Sequence, residues 1–145
     1  MAQTPAGQMV LDAANSGDID LVFSSELNPP PGLYGDMLPG MGGTSPTATV
    51  YLKNVQNGRS YDLLGVNASG YDLTSSTAIH EGLHALGVGG SQRAEALVRL
   101  EELRSLGVPI DRTAMRQVLT DMKGNYDSLP WLSGRTTPYF PDLIF

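Results

Sequence analysis

Cysteine is absent from the 145-residue chain. Disulfide bridges, thiolate metal ligands and cysteine nucleophiles are therefore excluded. Basic residues are scarce as well, since nine Lys and Arg stand against fifteen Asp and Glu, which gives a formal net charge of -6. Nucleic acid is not expected as a partner, because phosphate binding requires a basic surface.

Long apolar runs and targeting segments are also missing. No stretch approaches the roughly 18 apolar residues that span a bilayer, so membrane insertion is not expected. Residues Met1–Gly7 lack the basic region and apolar run of a secretory signal. A hydrophobic fraction of 41% with 17% charged residues is typical of a folded protein. The length predicts a single domain over residues 1–145.

One long segment is rich in glycine and proline. Between Asn28 and Pro46, ten of nineteen residues are Gly or Pro, which excludes a helix or a central strand there. We predict a loop over residues 28–46. Loops of this length in small domains are often lids or binding edges, and a flexible insertion is the alternative. Proline and aromatic residues predict a second irregular segment at residues 125–145.

The remaining pattern predicts strands first and helices afterwards, which is the α+β class. A helix at Ala6–Asn15 and a strand at Asp18–Ser24 come first. Thr47–Val66 is predicted as a hairpin that turns at Asn57-Gly58, within a small mixed or antiparallel sheet. A turn at this position places Lys53 opposite Asp62, where the two charges can pair across the strands. Asp62 then has a structural role and is not placed in a catalytic site.

Three helices are predicted in the second half of the chain. The first runs from a cap at Thr74 or Ser75 to about Leu86, where glycines interrupt it. Ser91 is predicted to cap the second helix, and Asp111 begins the third. The expected architecture is a small sheet followed by these helices.

The first of these helices contains the segment His80-Glu81-Gly82-Leu83-His84. Histidines four residues apart project from the same helix face, one turn apart, so both can bind one metal ion. Glu81 between them can reach a water on that metal and take its proton. The chain has two histidines, and both are in this segment. The alternative is an amphipathic helix with two exposed histidines and a solvated glutamate.

These five residues match the HExxH signature, and the segment resembles the zincin metallopeptidases. The resemblance implies a zincin-like fold, Zn²⁺ bound by His80 and His84, Glu81 as catalytic base, and a protein or peptide substrate. Gly87 also fits the longer HExxHxxGxxH pattern of metzincins, but Gly90 stands where that pattern has its third histidine. The chain therefore resembles a minimal gluzincin, in which a Glu from the next helix completes the site.

A catalytic zinc site needs three protein ligands, and without a further histidine the third must be a carboxylate. If the glycine-rich turn makes the second helix antiparallel to the first, Glu95 lies about 6 Å in from Ser91, level with the space between the histidines. Glu101 and Glu102 would lie about 15 Å in or more. Glu95 is therefore the favoured ligand, and an i,i+4 ion pair with Arg99 is its alternative role.

The chain also resembles the C-terminal toxin domains of bacterial polymorphic toxins, such as Rhs-type effectors. This resemblance implies a toxin protease that acts in the cytoplasm of a target cell, after delivery as part of a larger secreted protein. It also implies a cognate immunity protein as a partner. Two alternatives stay open: a free-standing housekeeping gluzincin, and a non-catalytic binding module that a metal stabilises. Glu81 counts against the second, because a pure binding site needs no base.

A hydrogen-bond donor to the carbonyl oxygen is also expected in the transition state. Tyr126, Arg135 and Tyr139 in the C-terminal segment are candidates, with packing or surface exposure as their alternative roles. Asp72 is predicted either to orient a ligand histidine or to act as an acidic residue at a helix N-terminus.

Overall fold

A computed structural model describes residues 3–57, 61–63, 66–68, 71–89 and 91–125. In chain order, the elements of this part of the chain are α1 (Pro5–Ser16), β1 (Asp20–Ser24), β2 (Gly35–Leu38), β3 (Thr47–Tyr51), α2 (Leu52–Asn57), β4 (Tyr61–Leu63), β5 (Val66–Ala68), α3 (Tyr71–Ala85), α4 (Gln92–Ser105) and α5 (Arg112–Asn125). A small sheet and several helices confirm the predicted α+β class. None of the helices in these ranges is long and apolar enough to cross a membrane.

β3 is the central strand of a three-stranded mixed sheet with the order β1-β3-β2. It runs parallel to β1 and antiparallel to β2, with Gly35 opposite Val50. β2 lies inside the 28–46 segment, so the prediction of a loop is wrong for residues 35–38. The composition excluded only a helix or a central strand, and β2 is an edge strand. Residues 35–38 contain no proline, so a short edge strand is compatible with the glycine- and proline-rich residues on both sides of it.

The predicted hairpin over Thr47–Val66 is wrong. β3 pairs with β1 and β2, and the chain continues from β3 into helix α2. Strands β4 and β5 form a separate antiparallel pair in which Asp62 lies opposite Asn67. Gly58 of the predicted turn lies outside the described residues.

Burial of one side chain accounts for the helix in place of the strand. Leu52 and Val55 are three residues apart, so they share a face of a helix. Val55 is 1% exposed and belongs to a core cluster with Val50 and Leu73, against which Leu52 packs. As a helix, the segment packs these apolar side chains against α3. The local pairing pattern of the sequence does not show this contact.

The long helices follow the predicted positions with one shift. α3 begins at Tyr71, so Thr74 and Ser75 lie inside the helix and do not cap it. The Ser91 hydroxyl accepts a hydrogen bond from a backbone N–H of α4 at 3.2 Å, as expected of an N-cap. Asp111 does the same for α5 at 2.9 Å.

α3 packs against several elements of the core, and this packing fixes the orientation of the face that carries its histidines. Ile79 and Leu83 of α3 are buried in a core cluster with side chains from α1, β3 and α4. A side chain at Gly82 would collide with Val10 of α1, so glycine permits a close approach of these two helices. The remaining face of α3, with His80 and His84, is directed at α4.

Candidate metal centre

The turn between α3 and α4 brings the polar faces of the two helices together. Gly87 has a φ of 96°, a left-handed conformation that ends helices and that glycine adopts without strain. His84, near the end of α3, lies beside Glu95, whereas His80 also lies beside Glu102, further along α4. Contacts that run in opposite directions along two helices show that the helices are antiparallel.

One carboxylate faces both histidines. Glu95 Oε2 lies 3.2 Å from His84 Nε2, and Glu95 Oε1 lies 3.6 Å from His80 Nε2. One ligand atom from each of the three residues lies within 4.8 Å of the others, and all three side chains are partly buried. The structure thus brings together the three residues that the sequence predicts as metal ligands. Their assignment to zinc stays a prediction.

The other ring nitrogen of each histidine has its own partner. His80 Nδ1 lies 3.1 Å from Glu102 Oε1, and His84 Nδ1 donates to the carbonyl oxygen of Val88 at 2.8 Å. Both contacts keep the proton on Nδ1 and turn Nε2 toward the shared carboxylate. Two such imidazoles and a carboxylate are a donor set that Zn²⁺ prefers, so these residues fit that metal.

The structure separates the roles of the other glutamates on α4. Glu102 contacts the far side of the His80 ring, and Glu101 instead pairs with Arg104 at 3.3 Å. The contact of Glu102 with His80 is a role that sequence reasoning missed. Its signal was the spacing of seven residues from Glu95, which places two side chains about two turns apart on one helix face.

The alternative role of Glu95 is present as well. Arg99 Nε lies 3.3 Å from Glu95 Oε1, in the i,i+4 arrangement expected from the sequence. The two roles do not compete, because one carboxylate has two oxygens and several lone pairs. Arg99 therefore holds Glu95 on the side of α4 while the histidines face it from α3.

Acidic neighbours favour a positive charge at the two rings. Burial lowers the pKa of His80, but the hydrogen bond and charge of Glu102, with the charges of Glu95 and Glu81, raise it overall to about 9. The hydrogen bond with Glu95 raises the pKa of His84. The same bond leads the effects that lower the pKa of Glu95 to about 2. Without a metal, this centre holds protons in the place where a cation would bind.

Glu81 lies against the edge strand. A Cβ atom on Gly35 would be 2.7 Å from Glu81 Cγ, so the absence of a side chain at position 35 leaves the space that Glu81 occupies. Burial raises the pKa of Glu81, and the charges of His80 and His84 oppose this rise. Within the described ranges, the group of ligand atoms that lie within 4.8 Å does not include Glu81. A half-buried carboxylate next to such a group is suited to accept a proton.

The chain was compared with models of known protein families, with curated proteins and with solved structures. None of these comparisons found a match. The chemistry of the centre therefore follows from its own residues.

The remaining predicted residues lie apart from this centre or outside the described ranges. Asp72 is an exposed residue in the first turn of α3, and His80 lies eight positions further along the helix, a rise of about 12 Å. It acts as an acidic residue at the helix N-terminus, because Glu102 and Val88 contact the histidine rings instead. The candidate donors Tyr126, Arg135 and Tyr139 lie outside the described residues.

Proposed function

We propose that this protein is a zinc-dependent peptidase of the zincin type. The observation that carries the proposal is the convergence of His80 Nε2 and His84 Nε2 on the carboxylate of Glu95, with Glu81 beside them. A purely structural ion pair would explain Glu95 and one histidine. It would not explain a second histidine with its ring oriented toward the same carboxylate, or a half-buried glutamate at the central position of the motif.

The side chains divide the work of peptide hydrolysis between them. His80, His84 and Glu95 would hold Zn²⁺, and Glu102 and the Val88 carbonyl would keep the rings in orientation. A bound zinc ion would polarise the scissile carbonyl and make a water molecule more acidic. Glu81 would accept a proton from the attacking water as the new C–O bond forms. It would then donate that proton to the leaving amine as the C–N bond breaks.

The edge strand offers a place for an extended peptide. β2 pairs with β3 on one side, and no described strand pairs with its other side. The free N–H and C=O groups of such an edge can form backbone hydrogen bonds with an added strand. Because Gly35 of β2 lies directly against Glu81, a peptide on this edge would pass close to the base.

The proposed biological setting is that of a bacterial toxin protease, and the resemblance to polymorphic toxin domains supports it. In this setting the domain is delivered as part of a larger secreted protein, cleaves a protein in the cytoplasm of the target cell, and is inhibited by a cognate immunity protein. Expression of the domain in bacteria without such a protein is expected to stop growth. Unimpaired growth with active protease would favour a housekeeping peptidase instead.

The substitution Glu81→Gln tests the enzymatic proposal. It keeps the shape of the side chain and removes the proton acceptor, so the protein should fold, bind zinc and lose hydrolysis of a protein substrate by a factor of about 100 or more. Glu26→Gln is the matched control, because Glu26 is an exposed residue that follows β1 in the chain and is not one of the proposed site residues. Zinc content and circular dichroism should be equal in both variants. Hydrolysis that persists in zinc-loaded Glu81→Gln protein would overturn the proposal, and loss in both variants would do so too.

A further inference from the structure

One side chain of the edge strand brings a negative charge to the proposed peptide site. Successive side chains of a strand point to opposite faces of the sheet. A Cβ atom on Gly35 would meet Glu81 and Thr77 of α3, so position 35 faces α3. Asp36 therefore faces the other side of the sheet, at the same free edge.

Tyr51 holds the carboxylate of Asp36 in place. Asp36 lies opposite Thr49 in the sheet register, and Tyr51 is two residues further along the same face of β3. The Tyr51 hydroxyl donates a hydrogen bond of 2.6 Å to Asp36 Oδ2. Tyr51 is only 8% exposed, whereas Asp36 is partly exposed. The carboxylate is thus oriented by a buried partner and keeps lone pairs for a further donor.

The pair lies within electrostatic reach of the base. The hydrogen bond to Asp36, burial, and the charges of Asp36 and Glu81 raise the pKa of Tyr51 to about 12. The charge of Asp36 also contributes to the raised pKa of Glu81, after burial. Asp36 directly follows Gly35, which lies against Glu81, so a peptide paired with this edge would pass both residues.

We propose that Asp36 is a specificity-determining residue that selects substrates with Lys or Arg at the position paired with it on the free edge of β2. The proposal rests on the proposed peptidase function. Directly opposed residues on adjacent strands have Cβ atoms about 4.5–5.5 Å apart on the same face, so a long cationic side chain can reach the carboxylate. A charge-assisted hydrogen bond then favours the cation, and an acidic substrate residue at this position is repelled.

The test uses a peptide library digested by the zinc-loaded protein, with products sequenced by mass spectrometry. Matched peptides with Lys, Met or Glu at the selected position are then compared by kcat/KM. The expected preference for Lys over Met is at least about tenfold, the scale of one charge-assisted contact. Asp36→Asn should remove this preference, and Asp36→Lys should shift it toward Glu. Tyr51→Phe, which keeps the ring, should reduce it in part.

Asp20→Asn is the matched control, because Asp20 is an exposed aspartate on β1, the other edge strand. It removes the same charge and should keep the wild-type preference. Binding of the matched peptides to Glu81→Gln protein gives a second readout without cleavage, with the same expected order of affinities. Cleavage without a position that prefers a cation would overturn the proposal. So would equal preferences in Asp36→Asn and Asp20→Asn. Absence of any cleavage by wild-type protein would instead overturn the peptidase function, and this inference with it.

Discussion

Zinc binding to the two histidines is expected to release protons near neutral pH. Burial lowers the pKa of His80, but Glu102, Glu95 and Glu81 raise it overall from 6.5 to about 9 in the metal-free protein. A histidine must be neutral to bind a metal ion. At neutral pH the metal must therefore displace a proton from His80.

The raised pKa of His80 gives the free-energy cost of displacing this proton. Two pH units below its pKa of about 9, His80 is almost fully protonated. Removing that proton costs about 1.36 kcal/mol for each pH unit, or about 2.7 kcal/mol in total. The apparent affinity for zinc is thus expected to be about 100-fold weaker at pH 7 than for a neutral ring. His84, whose pKa is raised by its hydrogen bond with Glu95, adds to this loss.

Isothermal titration of the metal-free protein with zinc, in two buffers of different ionisation enthalpy, measures the released protons. We expect about one proton or more per zinc ion at pH 7 and fewer as the pH approaches the pKa of His80. Glu102→Gln removes the charge and keeps an oxygen that can accept from His80 Nδ1, so it should release fewer protons. Glu101→Gln is the matched control, because Glu101 pairs with Arg104 and does not contact the ring.

Equal binding enthalpies in the two buffers would refute this reasoning, because they would show that His80 is neutral before zinc binds. Equal proton release by Glu102→Gln and Glu101→Gln would refute the role given to Glu102. Zinc binding that weakens as the pH rises from 7 to 9 would contradict the sign of the effect.

Three other predictions concern the same region. Gly35→Ala is expected to lower the free energy of unfolding by about 1–3 kcal/mol and to displace Glu81, because the new Cβ would be 2.7 Å from Glu81 Cγ. Urea unfolding measures this, with Gly89→Ala as the control since open space surrounds that position. Glu95→Gln is expected to weaken zinc binding strongly, since a charged ligand is lost, and unchanged binding in equilibrium dialysis would remove Glu95 from the ligand set. The metal-free protein should lose stability as the pH rises, because the contribution of His80 is complete below about 6.5 and is lost through about 9. A melting temperature that rises over that range would contradict it.

The meeting of His80, His84 and Glu95 could be predicted from the sequence because helix geometry is local. The four-residue spacing of His80 and His84 places both rings on one face whatever surrounds the helix. The glycine-rich turn and the cap at Ser91 then set how far into α4 a residue must lie to meet them. The rise along α4 favoured Glu95 over Glu101 as the residue level with the histidines. In the structure Glu95 lies within 3.6 Å of both rings.

Strand pairing could not be predicted in the same way, because partners in a sheet are distant along the chain. The hairpin predicted over Thr47–Val66 matched charges and apolar residues of neighbouring segments, but β3 found its partners at 20–24 and 35–38. No local pattern shows that a four-residue strand within a glycine- and proline-rich segment will pair with a strand about ten residues later. The burial of Val55, which favours helix α2, also depends on α3 being in place.

The sequence by itself determined the α+β class, the boundaries of the long helices to within a few residues, and the three side chains that meet at the centre. These features depend on the helix repeat and on capping groups, which act over about one turn. The tertiary structure alone decided that β2 lies against Glu81, that Tyr51 holds Asp36, and that Glu102 supports the His80 ring. Each of these contacts joins residues that are far apart along the chain, and the packing of separate elements sets the distance between them. It therefore exists only once the core has formed.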